Sequence, residues 1–339
     1  MVDLPCRDGD GYDAAEARAL LGALVGATRA ELEGGEGAGG RATAVVAFSG
    51  GVDSSLALHL CAEALGRDRA RGVTGVSPSL SAEQRGRAAA VAAHVGVRHE
   101  EVETREGEAD GYVRNDGEAC LFCKRELYAA LRAVAGAAAG GDGGGAGAAA
   151  GGGVVLVNGT NADDLRDPSR LGLVAAREFR VASPLAQLTK SSVRAAARAA
   201  GLPGWDWSAS PCLRSRLGSG VRATEGNLAL VEAAEAAVRA RLGLPAAESF
   251  RVRVPTEGAA WVALEAGRLG ALPEGGADRR AISDGLLALG FSSVSFGVFR
   301  SGELAGVAEL LEEGGKGGPS ALAAEGASAG VPGGSVLGD

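Results

Sequence analysis

The seven residues Ser49-Gly50-Gly51-Val52-Asp53-Ser54-Ser55 stand between a short β-branched run, Thr43–Phe48, and an apolar stretch with helical spacing, Leu56–Leu65. Two glycines let a backbone come close to an anion, and the first N–H groups of a helix have no partner inside it. The helix dipole adds positive potential at the same point. Ser49, Ser54 and Ser55 supply hydroxyls, so Ser49, Gly50, Gly51, Asp53, Ser54 and Ser55 form a candidate phosphate cradle. No lysine follows the glycines, which separates this loop from the G-x-x-x-x-G-K-[ST] type. Asp53 is suited to help hold a magnesium ion that accompanies a pyrophosphate. The plain alternative is a glycine-rich tight turn ahead of a helix.

Thiols are the second chemical feature. Five cysteines are present: Cys6, Cys61, Cys120, Cys123 and Cys212. An odd count without a signal peptide favours reduced thiols over a disulfide scaffold. Cys61 lies in the apolar run with Leu56, Leu60 and Leu65 and reads as a small core residue, while Cys6 falls in a loose terminus. Cys120-Leu121-Phe122-Cys123 is a C-x-x-C pair, with Cys212 well downstream. A structural zinc site wants four ligands, and a second pair is missing, since His59, His94 and His99 are scattered. A thioredoxin-like pair would need a different βαβ context. Three thiolates suit a [4Fe–4S] cluster with one iron free of protein ligands, against the alternative of three unrelated reduced cysteines.

Alternating strands and helices must position these groups. Thr43–Phe48, Gly72–Val76, Val97–Val102 and Val154–Val157 read as strands. Between them, Ser81-Ala82-Glu83-Gln84 opens a helix with a capping box, and Lys124–Ala135 shows Leu127, Leu131 and Val134 on one face. Thr189 caps a further helix closed by Gly201 and Pro203. This order predicts a parallel sheet covered on both faces, a Rossmann-like α/β fold with its ligand loop at the carboxyl end of a strand. After about Trp205 a helix (Glu225–Leu242), two strands (Ser249–Val254, Trp261–Glu265), a helix (Arg279–Leu289) and a strand (Phe291–Phe299) predict a smaller α+β domain.

The chain has 339 residues, a formal charge of -8 and 46% hydrophobic residues, enough for a real core and for two domains. The expected division is a flexible segment with a short helix over 1–40, the α/β domain over 41–204, the smaller domain over 205–312, and a disordered glycine-rich tail over 313–339. Within the α/β domain the Gly/Ala run 136–153 reads as a loop insertion. No apolar stretch approaches the roughly 20 residues that span a bilayer, and the acidic N-terminus lacks the features of a secretory signal or Arg-rich transit peptide. The expectation is therefore no membrane partner and a cytoplasmic address, an organellar one staying open. An acidic chain also argues against gripping nucleic acid by its phosphates.

The loop S-G-G-V-D-S resembles the signature of the PP-loop ATP pyrophosphatases, of the HUP-like fold, which split ATP between its α and β phosphates. The resemblance then extends from Arg41 to about Gly306 and to one family within that class. Its pieces are Cys120–Tyr128, Gly159–Asp164, Ser183-Pro184-Leu185, Leu188–Arg194, Gly201–Asp206, Cys212–Arg216 and Arg251-Val252-Arg253. Gly290-Phe291 and Arg300-Ser301-Gly302 follow in the same order. Together they resemble LarE, the PP-loop sulfur transferases of nickel-pincer cofactor synthesis.

That resemblance implies ATP and Mg2+ as cofactors and pyridinium-3,5-biscarboxylic acid mononucleotide as substrate. The carboxylate is adenylated, and sulfur then replaces AMP to give a thiocarboxylate. Two sulfur sources occur in the family: the cysteine matching Cys212, sacrificed to dehydroalanine, or a [4Fe–4S] cluster on residues matching Cys120, Cys123 and Cys212, fed by a sulfide donor. With all three thiols present, this chain resembles the cluster type. Cys212 and Asp53 are the catalytic candidates, and Asp163 and Asp164 are magnesium candidates whose alternative is an Asx-rich turn. Ser215, Arg216, Arg251 and Arg253 match the family's grip on the substrate phosphate, across a subunit interface of a homo-oligomer. Paired arginines match phosphate oxygens in fork geometry, against the alternative of a solvated basic strand. The chain departs from the pattern at Asn158, where the family has Asp, at Asp167–Arg170, at Trp207, at Gly218-Ser219-Gly220 and after Arg253. Rival readings are a tRNA-thiolating PP-loop enzyme, which needs a basic RNA surface, an ammonia-dependent PP-loop ligase, which does not need three thiols, and a nucleotide-binding scaffold with degenerate chemistry.

Overall fold

The computed structural model describes residues 11–34, 42–138, 153–245 and 248–300. In chain order, helix α1 (Ala14–Glu33) precedes β1 (Thr43–Ala47), α2 (Val52–Leu65), β2 (Ala70–Val76), α3 (Ala82–Val95) and β3 (Arg98–Glu103). The short helix α4 (Asp110–Arg114) leads into α5 (Ala119–Ala138) and β4 (Val154–Val157), followed by α6 (Ala162–Arg166), α7 (Gly172–Glu178) and α8 (Lys190–Ala199). The remainder comprises α9 (Glu225–Leu242), β5 (Phe250–Arg253), β6 (Ala259–Leu264), α10 (Ala266–Gly270), α11 (Ala277–Leu289) and β7 (Ser293–Val298).

The first sheet is wholly parallel, in the order β3-β2-β1-β4. Alternation along β1 explains why it is central: Ala44 and Val46 enter one core with α1, α2, α3 and α8, while Val45 and Ala47 enter another with Tyr128, Leu131 and Ala175 of α5 and α7. The chain runs outward from β1 through β2 and β3 and then returns to the other side of β1 with β4. That reversal is the place where open α/β sheets leave a crevice. The second sheet has the order β5-β6-β7, antiparallel then parallel. Leu228, Val231 and Val238 of α9 and Ile282 and Leu286 of α11 share one core with Phe250, Val252, Val262 and Leu264 of this sheet. The expected parallel α/β unit with a smaller α+β unit after it is the observed architecture.

Three expectations need correction. Helix α1 is twenty residues long, not short, because Leu20, Leu24, Thr28 and Leu32 recur every four residues and are buried against the first core. Helix α5 begins at Ala119, ahead of the expected start at Lys124, so Cys120 and Cys123 sit in its first turns. The division at residue 204 also understates how the two units interlock. Tyr112 of α4 and Ala119 of α5 belong to the core of the second sheet. The expectations for Cys6, for most of the 136–153 run and for the 313–339 tail lie outside the described residues.

Asn115 is the main stitch between the units. It holds a left-handed conformation, φ 54°, which asparagine tolerates better than most residues. Its Nδ2 donates to the carbonyls of Gly218 (2.9 Å) and Val221 (3.0 Å), and its Oδ1 accepts from Arg214 Nη1 at 2.8 Å. Asn115→Ala removes these bonds and leaves the Val221 carbonyl without its donor, while Gly218 O keeps its bond from Val221 N, so urea unfolding should show a loss of about 2–3 kcal/mol.

Candidate active site

The glycine-rich loop lies at the carboxyl end of β1. Its last residue, Gly51, is the N-cap of α2, and no side chain caps the N–H groups of that first turn. They are therefore available to an anion. Gly50 has φ +70°, and a Cβ there would lie 2.6 Å from the backbone nitrogen of Ala88 in α3. Gly159, just after β4, comes equally close: a Cβ would lie 2.6 Å from the backbone of Asp53 and Ser54. Both glycines are set by backbone-to-backbone contact. Ser49 and Gly51 are exposed, but the hydroxyl of Ser54 turns inward, where it accepts from Ser49 N (3.2 Å) and donates to Gly51 O (3.1 Å). Ser54 thus braces the loop, and the Ser55 hydroxyl is buried.

Asp53 forms an ion pair with Lys190 Nζ and accepts from Asn161 Nδ2 at 3.0 Å. Three separate segments meet here: the start of α2, the N-cap of α6 and the first residue of α8. Asp163 and Asp164 behave as turn residues. Asp164 Oδ2 accepts from Asn161 N (3.2 Å), Asp163 Oδ2 accepts from Lys190 N (2.8 Å), and their other oxygens pair with Arg166 and Arg170. Asn158 does not await a carboxylate partner. Its Oδ1 accepts from Thr160 N (3.0 Å) and Ser183 Oγ (2.8 Å), which leaves Nδ2 to donate to Tyr128 Oη at 3.0 Å. The backbone N–H of Thr160 can only donate, so it fixes the amide's orientation.

The three thiols share a second neighbourhood. Cys120 is exposed and accepts from Arg214 Nη2 at 2.9 Å. Burial pushes the Cys123 thiol up to about 12, with Cys212, Glu106 and Cys120 adding to the rise and Lys124 opposing it. Cys212 caps the tight turn Leu213–Arg216. Against the opposing effect of burial, Tyr128 and Cys123, then Cys120 and Cys212, hold Lys124 more firmly protonated, and Cys120 and Cys212 do the same for Arg214. The thiols suit a cluster in kind and number, and two cations lie beside them to offset its charge. Among the described residues, though, no group of three or more His, Cys, Asp or Glu side chains stands closed around a metal position.

The basic residues hold the Cys212 loop in place. Arg216 pairs with Glu235 (3.0 Å) and donates to the carbonyls of Pro211 and Cys212, the latter at 3.0 Å. Arg251 donates to Ala209 O, and Ser215 Oγ donates to Cys212 O at 2.7 Å. Arg253 donates to Arg300 O at 2.8 Å. Burial, then the charges of Arg216 and Arg253, lower the Arg251 guanidinium to about 10. Three arginines thus face one another with Glu235 as the close counter-charge. Lys190, Asn161, Lys124, Arg214, Glu106 and Glu235 were not singled out from sequence. Lys190 carried one local signal, since a lysine opening a helix runs against the helix dipole.

Fold and loop define a nucleotide-binding PP-loop protein of the ATP-pyrophosphatase type, and comparison with known proteins agrees. The NAD synthase family matches residues 36–135. The chain is 40% identical over 202 residues to the uncharacterized protein slr1717 of Synechocystis, covering 59% of this chain and 69% of that one. It is 31% identical over 211 residues to the pyridinium-3,5-bisthiocarboxylic acid mononucleotide synthase of Lactiplantibacillus plantarum, covering 61% and 70%. The chain belongs to the LarE family of PP-loop enzymes. No helix among the described residues is long and apolar enough to cross a membrane.

Two measurements check this site. Gly50→Ala should lower stability by about 1–3 kcal/mol by forcing α3 away from the loop, and should weaken ATP binding in titration calorimetry. Under iodoacetamide at about pH 8, Cys120 should be modified first of the four cysteines among the described residues; Cys123 and Cys61, both raised to about 12 by burial, should react last of the four by peptide mass mapping.

Proposed function

We propose that this chain is an ATP-dependent sulfur transferase that adenylates the carboxylate of pyridinium-3,5-biscarboxylic acid mononucleotide and exchanges AMP for sulfur. The observation that supports this most is the convergence of Cys120, Cys123 and Cys212 on one neighbourhood in a chain with an intact PP-loop. A ligase using ammonia has no need of those thiols.

The uncapped N–H groups of α2 and the exposed Ser49 receive the phosphates of ATP, and Lys190 neutralises the charge that builds on departing pyrophosphate. Asp53 holds Lys190 in place and is suited to Mg2+ once the nucleotide draws that lysine away. The substrate carboxylate oxygen attacks the α phosphorus and pyrophosphate leaves. A sulfur nucleophile then attacks the acyl carbon, and AMP departs with the former carboxylate oxygen. The positive group of Arg216, Arg251 and Arg253, with Ser215, is suited to the substrate's own phosphate, and a homo-oligomer brings a second copy to that face.

Cys120, Cys123 and Cys212 are the residues that would hold a [4Fe–4S] cluster. When bound, such a cluster would supply sulfide for many turnovers. In its absence Cys212 would itself be the sulfur source and end as dehydroalanine. The cytoplasm is the compartment that suits its reduced thiols.

Lys190→Ala and Asp53→Asn should each lower substrate-dependent pyrophosphate release about 100-fold in a coupled assay. Cys212→Ala should retain pyrophosphate release and lose thiocarboxylate formation. Wild-type protein purified without oxygen should contain about four irons per chain, lost in Cys212→Ala. Pyrophosphate release that ignores the pyridinium substrate would overturn the reading.

A further inference from the structure

Two buried polar atoms beside the thiols have no partner. Glu106 is 4% exposed, in the turn after β3. Its Oε1 accepts from Ser77 Oγ (2.6 Å) and Ser79 Oγ (3.4 Å) and lies 3.9 Å from Cys123 Sγ. Its Oε2 has no hydrogen-bond partner. Tyr112, 2% exposed on α4, also leaves its hydroxyl unsatisfied, close to Ser79 without closing a bond of normal geometry. The titratable neighbours of that hydroxyl are Cys212, Cys123 and Glu106. A buried polar atom without a partner is costly, and two beside each other call for a ligand.

The missing ligand is narrowly defined. It must donate to Glu106 Oε2, accept from Tyr112 Oη, lie next to Cys123, and be small enough to reach two side chains that are both buried. We propose that Glu106 and Tyr112 form a docking point for inorganic sulfide. Hydrosulfide has one heavy atom, one S–H to donate and sulfur lone pairs to accept. Arg214, whose Nη2 lies 2.9 Å from Cys120 Sγ, is a cation beside the thiols that helps to offset its charge. A persulfide on a carrier protein could approach the exposed Cys120, but cannot reach two side chains buried to this degree. The inference rests on the sulfur-transferase reading and names its donor as the free inorganic species.

Crystals of the full chain, grown without oxygen and soaked in hydroselenide, test it, because selenium is located by anomalous scattering. An anomalous peak within hydrogen-bond reach of Glu106 and Tyr112, absent in Tyr112→Phe and Glu106→Gln, is the expected result. Titration calorimetry with hydroselenide should show affinity reduced about tenfold in each variant. Tyr112→Phe removes one oxygen and keeps the ring, so it carries the test if Glu106→Gln fails to fold. A peak without anomalous signal at that position means that water alone fills it and overturns the proposal, as does unchanged affinity in Tyr112→Phe. The two readings fail separately: substrate-dependent pyrophosphate release with no selenium there sinks only the docking point, and selenium bound there without that release sinks only the transferase.

Discussion

The Cys212 loop is pinned to the carboxyl edge of the parallel sheet, the constraint that sulfur chemistry on Cys212 would need under the proposed function. Hydrogen bonds to its backbone do this. Leu213 N donates to Ser79 O at 2.8 Å, and Gln84 Nε2 donates to Ser210 O at 2.6 Å. From the other side, Arg216 and Arg251 grip the carbonyls of Ala209, Pro211 and Cys212. A segment with little regular structure is thereby fixed by charge-assisted bonds, which are about twice as strong as neutral ones. The arrangement accounts for arginines so deeply buried: their charge is spread over carbonyl dipoles and one carboxylate, Glu235.

The phosphate loop was legible in sequence because its physics is local. A strand, two glycines and a helix start within seven residues leave few alternatives. The parallel sheet was legible for the same reason, as buried strands alternate visibly with amphipathic helices. Groups assembled from distant segments were not legible. Lys190 reaches Asp53 across 137 positions, and Arg214 reaches Cys120 across 94. Helix α1 was underestimated because its alanines and glycines resemble the flexible runs, whereas the four-residue recurrence from Leu20 to Leu32 carries the real signal.

Asn158 stands where the family has Asp, which from sequence alone puts one carboxylate contact in doubt. In place, the residue serves two donors with its carbonyl and one acceptor with its amide, a task a carboxylate cannot perform without a proton. Here the Asn158 amide donates to Tyr128 Oη, where a carboxylate would accept from that hydroxyl, and Gly159 still lies against the backbone of Asp53. Asp163 and Asp164 make the reverse point: acidic residues in a promising place whose side chains are occupied in shaping the turn that presents Asn161 and Lys190.

Helix α3 touches both halves of the chemistry. At Ala88 its backbone lies against Gly50, and at Gln84, one turn earlier, its side chain holds the carbonyl of Ser210. Four residues of helix are about 6 Å. The helix therefore acts as a ruler laid between the phosphate cradle and the sulfur-bearing loop, graduated in peptide units that neither stretch nor slide. On the proposed function, a substrate whose activated carbon lay at the wrong distance from its nucleotide anchor would meet a gap that the protein has no cheap way to shorten, and a helix away from the reacting atoms would set the length that fits.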